Sequence, residues 1–264
     1  MIIKRLSASK LDTFIVCPYG FYLKYVKRKV KRNLQTSGMQ LGTLVHKILE
    51  EFHRAIQAEP LPTEEGALKQ LIYLKAKEKT IEYTTIYNNT YKRKRQNSAF
   101  IFNNYVNPFI IYYVKNGLHT KKAIPEFNFS KTLGEIAATI DATKLEPGWE
   151  KYKDVLAVGK MDLLIEPDLI FDYKVQNPNN FQKDIIDNFQ TLLYTLIFER
   201  DMTFVYLFLN RTITPKVVMI SQESRPDKFN KIIKVLKILE NTTSFKKNPK
   251  NCTECLFKSV CKKA

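Results

Sequence analysis

The sequence predicts an α/β fold, one core with helical additions. Three observations lead there. Residues 155–175 read as two short apolar strands joined by a turn at Glu166-Pro167-Asp168. Segments with helical periodicity stand before and after them. The resulting order of helix, sheet, buried helix and strand is that of a single α/β core.

Taken in order, Ser7-Ala8-Ser9 followed by Lys10-Leu11-Asp12 predicts a helix start, with a serine cap and an acidic residue in the first turn. Leu11, Phe14 and Ile15 share one face. Cys17-Pro18 breaks or restarts the helix, because proline suits a first helical position. Phe21, Tyr22 and Tyr25 continue the apolar side. Lys24, Lys27, Arg28, Lys29, Lys31 and Arg32 follow, a solvated linker or a phosphate-binding strip. Residues 38–56 form the next helix, with Leu41, Leu44, Val45, Ile48, Phe52 and Ile56 on one side. His46, Glu50 and His53 fall on the opposite side. His46 is the metal-ligand candidate there; Glu50 and His53 read as its solvated neighbours.

Residues 57–122 carry the least information. Pro60-Leu61-Pro62 is a break and Thr63-Glu64-Glu65 opens a helix. Lys92-Arg93-Lys94-Arg95 is a dense basic run near Tyr83, Tyr87, Tyr91 and Phe100. Aromatics mixed with cations can hold a single strand, although aromatics at helical spacing are more often core. The region reads as a helical insertion roofing a nucleic-acid channel.

Residues 125–129 and 135–141 read as strands, and the hairpin comes next. Residues 185–200 are a helix apolar on more than one side and hence buried, with Gln190 and Tyr194 four apart on one face. Residues 204–209 and 216–220 form a second β unit. Residues 226–240 make an amphipathic helix with Phe229, Ile232, Ile233, Leu236 and Leu239 inside.

The totals narrow the function. The chain has 264 residues, enough for one large domain, and 44% hydrophobic content supports a core. Its 8 glycines and the lack of a phosphate-loop or dinucleotide fingerprint argue against a built-in ATP motor. A net charge of +17 points to a polyanionic partner, nucleic acid before membrane. No apolar run approaches the roughly 20 residues of a membrane span. The amino-terminal text MIIKRLSASK lacks a signal-peptide core. A cytoplasmic protein without structural disulfides is the expectation.

Polar residues interrupt the apolar hairpin at Asp162, Asp172 and Lys174. Carboxylates and lysines are rarely buried without a partner. Asp172 and Lys174 lie two apart and share a strand face, and Asp162 can reach that face from the neighbouring strand. Two carboxylates with an ammonium beside them suit Mg²⁺ or Mn²⁺ and a charge-stabilising lysine.

The four cysteines are Cys17 and the closing C-x2-C-x5-C of Cys252, Cys255 and Cys261. Four thiolates can hold zinc or a [4Fe–4S] cluster, and spacing alone puts zinc ahead. Either centre would tie the tail to the first helix.

Together these pieces resemble the PD-(D/E)XK nuclease superfamily in its RecB-like branch. The residues carrying the resemblance are Gly42-x-x-x-His46, Gly159-x-x-Asp162, Asp172-Tyr173-Lys174 and Gln190-x-x-x-Tyr194. The opening LSASKLDTFIVCPYGFYLKYV and the cysteine tail look like its iron–sulfur members, AddB-type nuclease domains and CRISPR-associated spacer-acquisition exonucleases. The resemblance runs from Leu6 to Cys261, patchily, and is absent over residues 57–122.

It implies a restriction-endonuclease-like core, a mixed sheet flanked by helices, as one domain over residues 1–264. Residues 57–122 would be a helical insertion, and Cys17 with residues 245–264 an iron–sulfur staple. Metal ligands would be His46, Asp162, Asp172 and the backbone carbonyl of Tyr173. Lys174 would act on the attacking water and the phosphate. Gln190 and Tyr194 would position DNA or support the lysine, and Glu126 would have a supporting role. The cysteine centre becomes [4Fe–4S] rather than zinc. The expected activity is Mg²⁺- or Mn²⁺-dependent DNA cleavage of single strands or ends, in repair, recombination or spacer acquisition. A helicase or integrase would be the protein partner, with no membrane involved. Two rivals are a silent DNA-binding component of a recombination or integration complex, and a zinc-stapled module that recruits a protein.

Overall fold

The computed structural model of the chain describes residues 3–28, 37–58, 60–91, 95–180, 188–249, 252, 255 and 257–261. Lys29, Lys31, Arg32 and Lys92-Arg93-Lys94 of the two basic runs lie outside the described residues, as do positions 185–187.

Among the described residues six strands form one mixed sheet: β1 (Arg5–Leu6), β2 (Ala123–Thr132), β3 (Leu156–Ile165), β4 (Leu169–Lys174), β5 (Met202–Leu209) and β6 (Ile213–Ile220). The expected hairpin is β3 and β4, antiparallel, with Ile165 opposite Leu169 and Leu163 opposite Phe171. A cis Glu166–Pro167 peptide lies in its turn. β4 runs parallel to β5, and β5 antiparallel to β6.

β3 organises the sheet. β2 follows one of its edges along the whole length, from Ala123 opposite Ile165 to Thr132 opposite Leu156. The other edge is shared. β1 pairs with its start, Arg5 opposite Leu156 and Leu6 opposite Ala157. β4 pairs with its end. Between these two partners, residues 158–162 of that edge face no described strand, which leaves a notch in the sheet.

Helices cover both faces. In chain order they are α1 (Ala8–Val16), α2 (Pro18–Phe21), α3 (Ser37–Gln57), α4 (Glu65–Thr90), α5 (Ser98–Ile101), α6 (Asn107–Lys115), α7 (Leu133–Ala137), α8 (Phe189–Ile197), α9 (Arg225–Asn241) and α10 (Lys258–Cys261). One core packs Leu11, Phe14, Leu192, Leu196, Ile232 and Leu236 against Leu164, Ile170, Phe204 and Phe208. The other packs Val45, Ile48, Phe52, Ile72 and Phe109 against Leu163, Phe171, Tyr173, Val205 and Leu207. Successive side chains of β4 and β5 thus enter opposite layers. Both faces being covered explains why these strands read as nearly continuous apolar text.

Four expectations are corrected. Residues 133–137 are a helix, not part of a strand at 135–141. Thr132 and Glu135 form a reciprocal capping box, Thr132 Oγ1 accepting from the Glu135 N–H at 3.1 Å and Glu135 accepting from the Thr132 N–H at 2.6 Å. The buried helix is shorter than residues 185–200. Asn188 caps it by accepting from the N–H groups of Gln190 and Thr191, and Phe198 is already extended. Ser7 stands at the start of α1 without a side-chain cap bond, and Asp12 lies beyond its first turn. The 57–122 region does not simply roof the fold, because Ile72, Ala76, Ile101, Phe102, Phe109 and Ile110 are core residues. Among the described residues no helix is long and apolar enough to cross a membrane.

Candidate active site

The site lies where β3 and β4 part. Their pairing stops at Leu163 and Phe171, one residue short of Asp162 and Asp172. A ligand-binding crevice is expected where neighbouring strands diverge. Two linked groups of side chains fill this one.

Asp162 leads the first. Its Oδ1 lies 3.1 Å from Nδ1 of His46 on α3, and its Oδ2 accepts the Tyr173 N–H at 2.7 Å. Burial alone would raise the Asp162 carboxyl. The charge and hydrogen bond of His46, the Tyr173 N–H and Lys174 outweigh it and hold the group below the usual carboxylate range. Burial would likewise lower His46, but Asp162 raises it above the ordinary imidazole value.

Asp172 leads the second, buried at 3% exposure. It is ion-paired with Lys174 and accepts from the side-chain amide of Gln190. The same amide donates to the Tyr194 hydroxyl at 2.9 Å, which donates to the Lys160 carbonyl at 3.0 Å. The Lys174 ammonium lies 5.3 Å from the centre of the Tyr206 ring, a cation–π contact. Burial raises the Asp172 carboxyl, and the neighbouring Asp162 charge adds to this. Lys174 and His46 oppose the rise without cancelling it.

Asp162, Asp172, Lys174, His46, Gln190 and Tyr194 are therefore brought together, with Tyr173 between them. Glu126 stands apart, its carboxylate paired with Lys160. It falls between the pairs Pro125–Leu163 and Phe127–Met161, opposite Asp162, and has a left-handed backbone, φ 54°. Such a conformation in a non-glycine residue costs of order 1–3 kcal/mol and recurs at functional sites.

His53 is a correction. It is not a solvated neighbour of His46 but is 1% exposed, packed among Phe52, Phe109 and Tyr113. Its Nε2 lies 3.1 Å from the Tyr173 hydroxyl. Burial pushes its imidazole down to about 3. Glu50 is ion-paired with Lys47 and Arg54. Two further supports went unnoticed in the sequence. Tyr206 lies under Lys174, and Asn188 accepts from the Tyr206 hydroxyl at 3.0 Å. An asparagine before an apolar run is a recognisable cap; nothing local announces Tyr206.

Two anionic carboxylates with an imidazole beside them are the donor set of a hard divalent cation. The chemistry of this donor set fits such a cation. As they stand these side chains satisfy one another, and among the described residues no three His, Cys, Asp or Glu close into a metal-holding group.

All four cysteines line one cavity of about 240 Å³ with Tyr19, Leu23 and Phe257, and none is in a disulfide. The Gly20 N–H donates to Cys17 Sγ and the Phe257 N–H to Cys255 Sγ, each at 3.4 Å. Four thiols lining one cavity are a donor set of the kind a cluster or zinc takes, although they are not closed into a metal-holding group as they stand. The Tyr19 N–H donates to the Lys246 carbonyl at 3.1 Å, and the Asn248 amide to the Val16 carbonyl at 2.9 Å, which joins the tail to α1 and α2 independently of any metal.

The sequence model of the PD-(D/E)XK nuclease superfamily matches residues 5–262. Two curated relatives are each described as one of the subunits of an ATP-dependent helicase/deoxyribonuclease. That of Clostridium tetani (strain Massachusetts / E88) is 31% identical over 62 residues, 23% of this chain and 5% of the relative. That of Clostridium novyi (strain NT) is 33% identical over 52 residues, 19% of this chain and 5% of the relative. The matched stretches thus take up only 5% of those much longer proteins. Among solved structures, a proposed exonuclease from Eubacterium rectale shares the fold with a TM-score of 0.55 and 11% identity, over 97% of this chain and 88% of that one.

Proposed function

The chain belongs to the PD-(D/E)XK nuclease superfamily, and from that premise we propose that it is a metal-dependent deoxyribonuclease acting on single-stranded DNA or DNA ends. The observation that carries the reading is the pair of carboxylates, half-buried Asp162 and buried Asp172, with His46 against the first and Lys174 against the second, at the parting of β3 and β4. His46, Asp162, Asp172 and the Tyr173 carbonyl would hold Mg²⁺ or Mn²⁺. When bound, the ion supplies Lewis-acid polarisation of the phosphate and a more acidic water.

The chain's own residues do the rest. The Tyr173 N–H and His46 fix the Asp162 carboxylate. Gln190 holds Asp172, and Tyr194 fixes Gln190 in turn. Lys174 offsets negative charge that grows on the phosphate in the transition state. The net charge of +17 supplies sequence-independent, salt-sensitive affinity for DNA. Cys17, Cys252, Cys255 and Cys261 hold a [4Fe–4S] cluster of structural role, zinc being the rival occupant. The relatives' description as a subunit of an ATP-dependent helicase/deoxyribonuclease supports DNA cleavage beside a helicase; the resemblance to iron–sulfur members supports a role in repair, recombination or CRISPR spacer acquisition.

The test is cleavage of end-labelled single- and double-stranded DNA with Mg²⁺ or Mn²⁺ by anaerobically purified protein. Asp172→Ala and Lys174→Ala are expected to bind DNA and not cut it. A folded, metal-supplied parent that binds and never cuts would replace this reading with a silent DNA-binding protein.

A further inference from the structure

Beside the notch in the sheet lies a cavity of about 300 Å³, lined in part by Gln190 and Tyr194. Its floor is the stretch of β3 from Val158 to Lys160, beside the edge that faces no described strand. Ser7, Ser9 and Asp12 of the α1 region wall one side. Gln190 and Tyr194 wall another. Gln190 also donates to Asp172 and to the Tyr194 hydroxyl, so the Gln190 side chain lies between the cavity and the carboxylate site.

The cavity is built rather than incidental. Phe129 lines it, paired across the strands with Gly159. A Cβ on Gly159 would run into the Phe129 ring, so glycine is what lets that ring lie across the floor. Phe129 also meets Tyr194 edge-to-face, with centroids 5.9 Å apart. Phe129, Leu193 and Val158 give the cavity an apolar part beside its polar groups. The Ser7 hydroxyl makes no helix cap and lies 3.4 Å from that of Ser9.

We propose that this cavity is a subsite for one nucleoside, base and sugar, of the nucleotide next to the phosphate being cut. The proposal rests on the nuclease reading above. Its size is at the low end of ligand pockets, roughly 300–1,000 Å³, which suits one nucleoside and excludes a duplex. Its chemistry separates nucleoside from phosphate. The Lys160 ammonium in the lining is already paired with Glu126, which leaves it less available to a phosphate. The serine hydroxyls can pair with base and sugar groups, and the apolar part of the lining can take a ring.

A single-stranded oligonucleotide with one abasic residue moved along it tests this, with cut sites read from the product ladder. In the parent, one register of the abasic residue relative to the cut should slow cleavage about tenfold, the lower range of one base contact. Ser9→Phe, at an exposed position on the first turn of α1, puts a ring in the cavity mouth. It should slow cleavage of the intact strand to a similar extent and abolish the abasic penalty at that register. The proposal is overturned if no register matters in the parent, or if Ser9→Phe keeps the full penalty. It is also overturned if a neutral methylphosphonate, and not the abasic residue, gives the register-specific loss, because the cavity would then hold a phosphate. A parent that cuts the intact strand and fails these tests removes this inference alone; one that cuts no DNA at all removes the nuclease reading with it.

Discussion

His53 holds Tyr173 by its hydroxyl, at 3.1 Å, from the core side of the sheet. Tyr173 in turn presents its backbone N–H to Asp162 at 2.7 Å. A buried, neutral imidazole therefore backs the strand residue that aims one of the two carboxylates.

That burial sets a pH dependence. The imidazole sits at about 3 in the folded chain against about 6.5 unfolded. A lowered folded value means that the unfolded chain takes up a proton first as pH falls. Stability attributable to His53 is intact above 6.5 and is lost progressively between 6.5 and about 3, roughly 2 kcal/mol by pH 5. His53→Gln keeps a hydrogen-bonding partner for Tyr173 without titrating. Urea unfolding at pH 7, 6 and 5 should show the parent losing stability faster than the variant. Parallel losses would mean that His53 titrates normally in the native state.

Asp172→Asn should trade function for stability. Ionised Asp172 is disfavoured by burial and by Asp162, so a neutral isostere relieves the metal-free fold. The metal-free variant should therefore melt above the metal-free parent. Mg²⁺ or Mn²⁺ should raise the Tm of the parent by mass action and leave the variant unmoved. A metal-induced shift of equal size in both would remove Asp172 from the ligand set.

Gly159→Ala should cost about 1–3 kcal/mol, the usual penalty of overpacking, because its methyl group collides with the Phe129 ring. Gly159→Ala combined with Phe129→Leu should recover part of the loss in a denaturant titration. A single variant as stable as the parent would show that the ring moves aside freely.

Anaerobically purified parent should contain about four irons and four acid-labile sulfides per chain, the content of one [4Fe–4S] cluster. Cys17→Ser and Cys261→Ser should lower both and the associated visible absorbance. Because the Asn248–Val16 and Tyr19–Lys246 hydrogen bonds join tail to helix without metal, these variants should keep far-UV helicity at room temperature while melting earlier. Stoichiometric zinc without sulfide would assign the centre to zinc.

What the sequence made legible was the hairpin and its charges. Asp162, Asp172 and Lys174 stood out because charge inside apolar strand text needs a reason. Gln190 and Tyr194 followed from helical spacing. His53 misled because a helical wheel knows only one partner surface. α3 packs Leu44 and Ile48 inward, yet His53 is also enclosed, by Phe109 and Tyr113 of α6, far along the chain. The 135–141 error has a local cause: the Thr132-x-x-Glu135 cap was in plain text and outweighs the β-branched residues after it. The notch beside β3 could not be read at all, since it arises from which strands share an edge.

The groups proposed to act on DNA come from the two layers on opposite sides of the sheet. His46 and the His53 backing come with α3, in one helical layer; Gln190 and Tyr194 come with α8, in the other. A chain emerging from synthesis with its first half collapsed has the imidazoles but neither the β4 acid nor the α8 amide. On the proposed nuclease reading, competence to cut would need both layers closed on the sheet, and an incomplete or partly melted copy would be harmless to the nucleic acid around it, a safeguard arising from chain order.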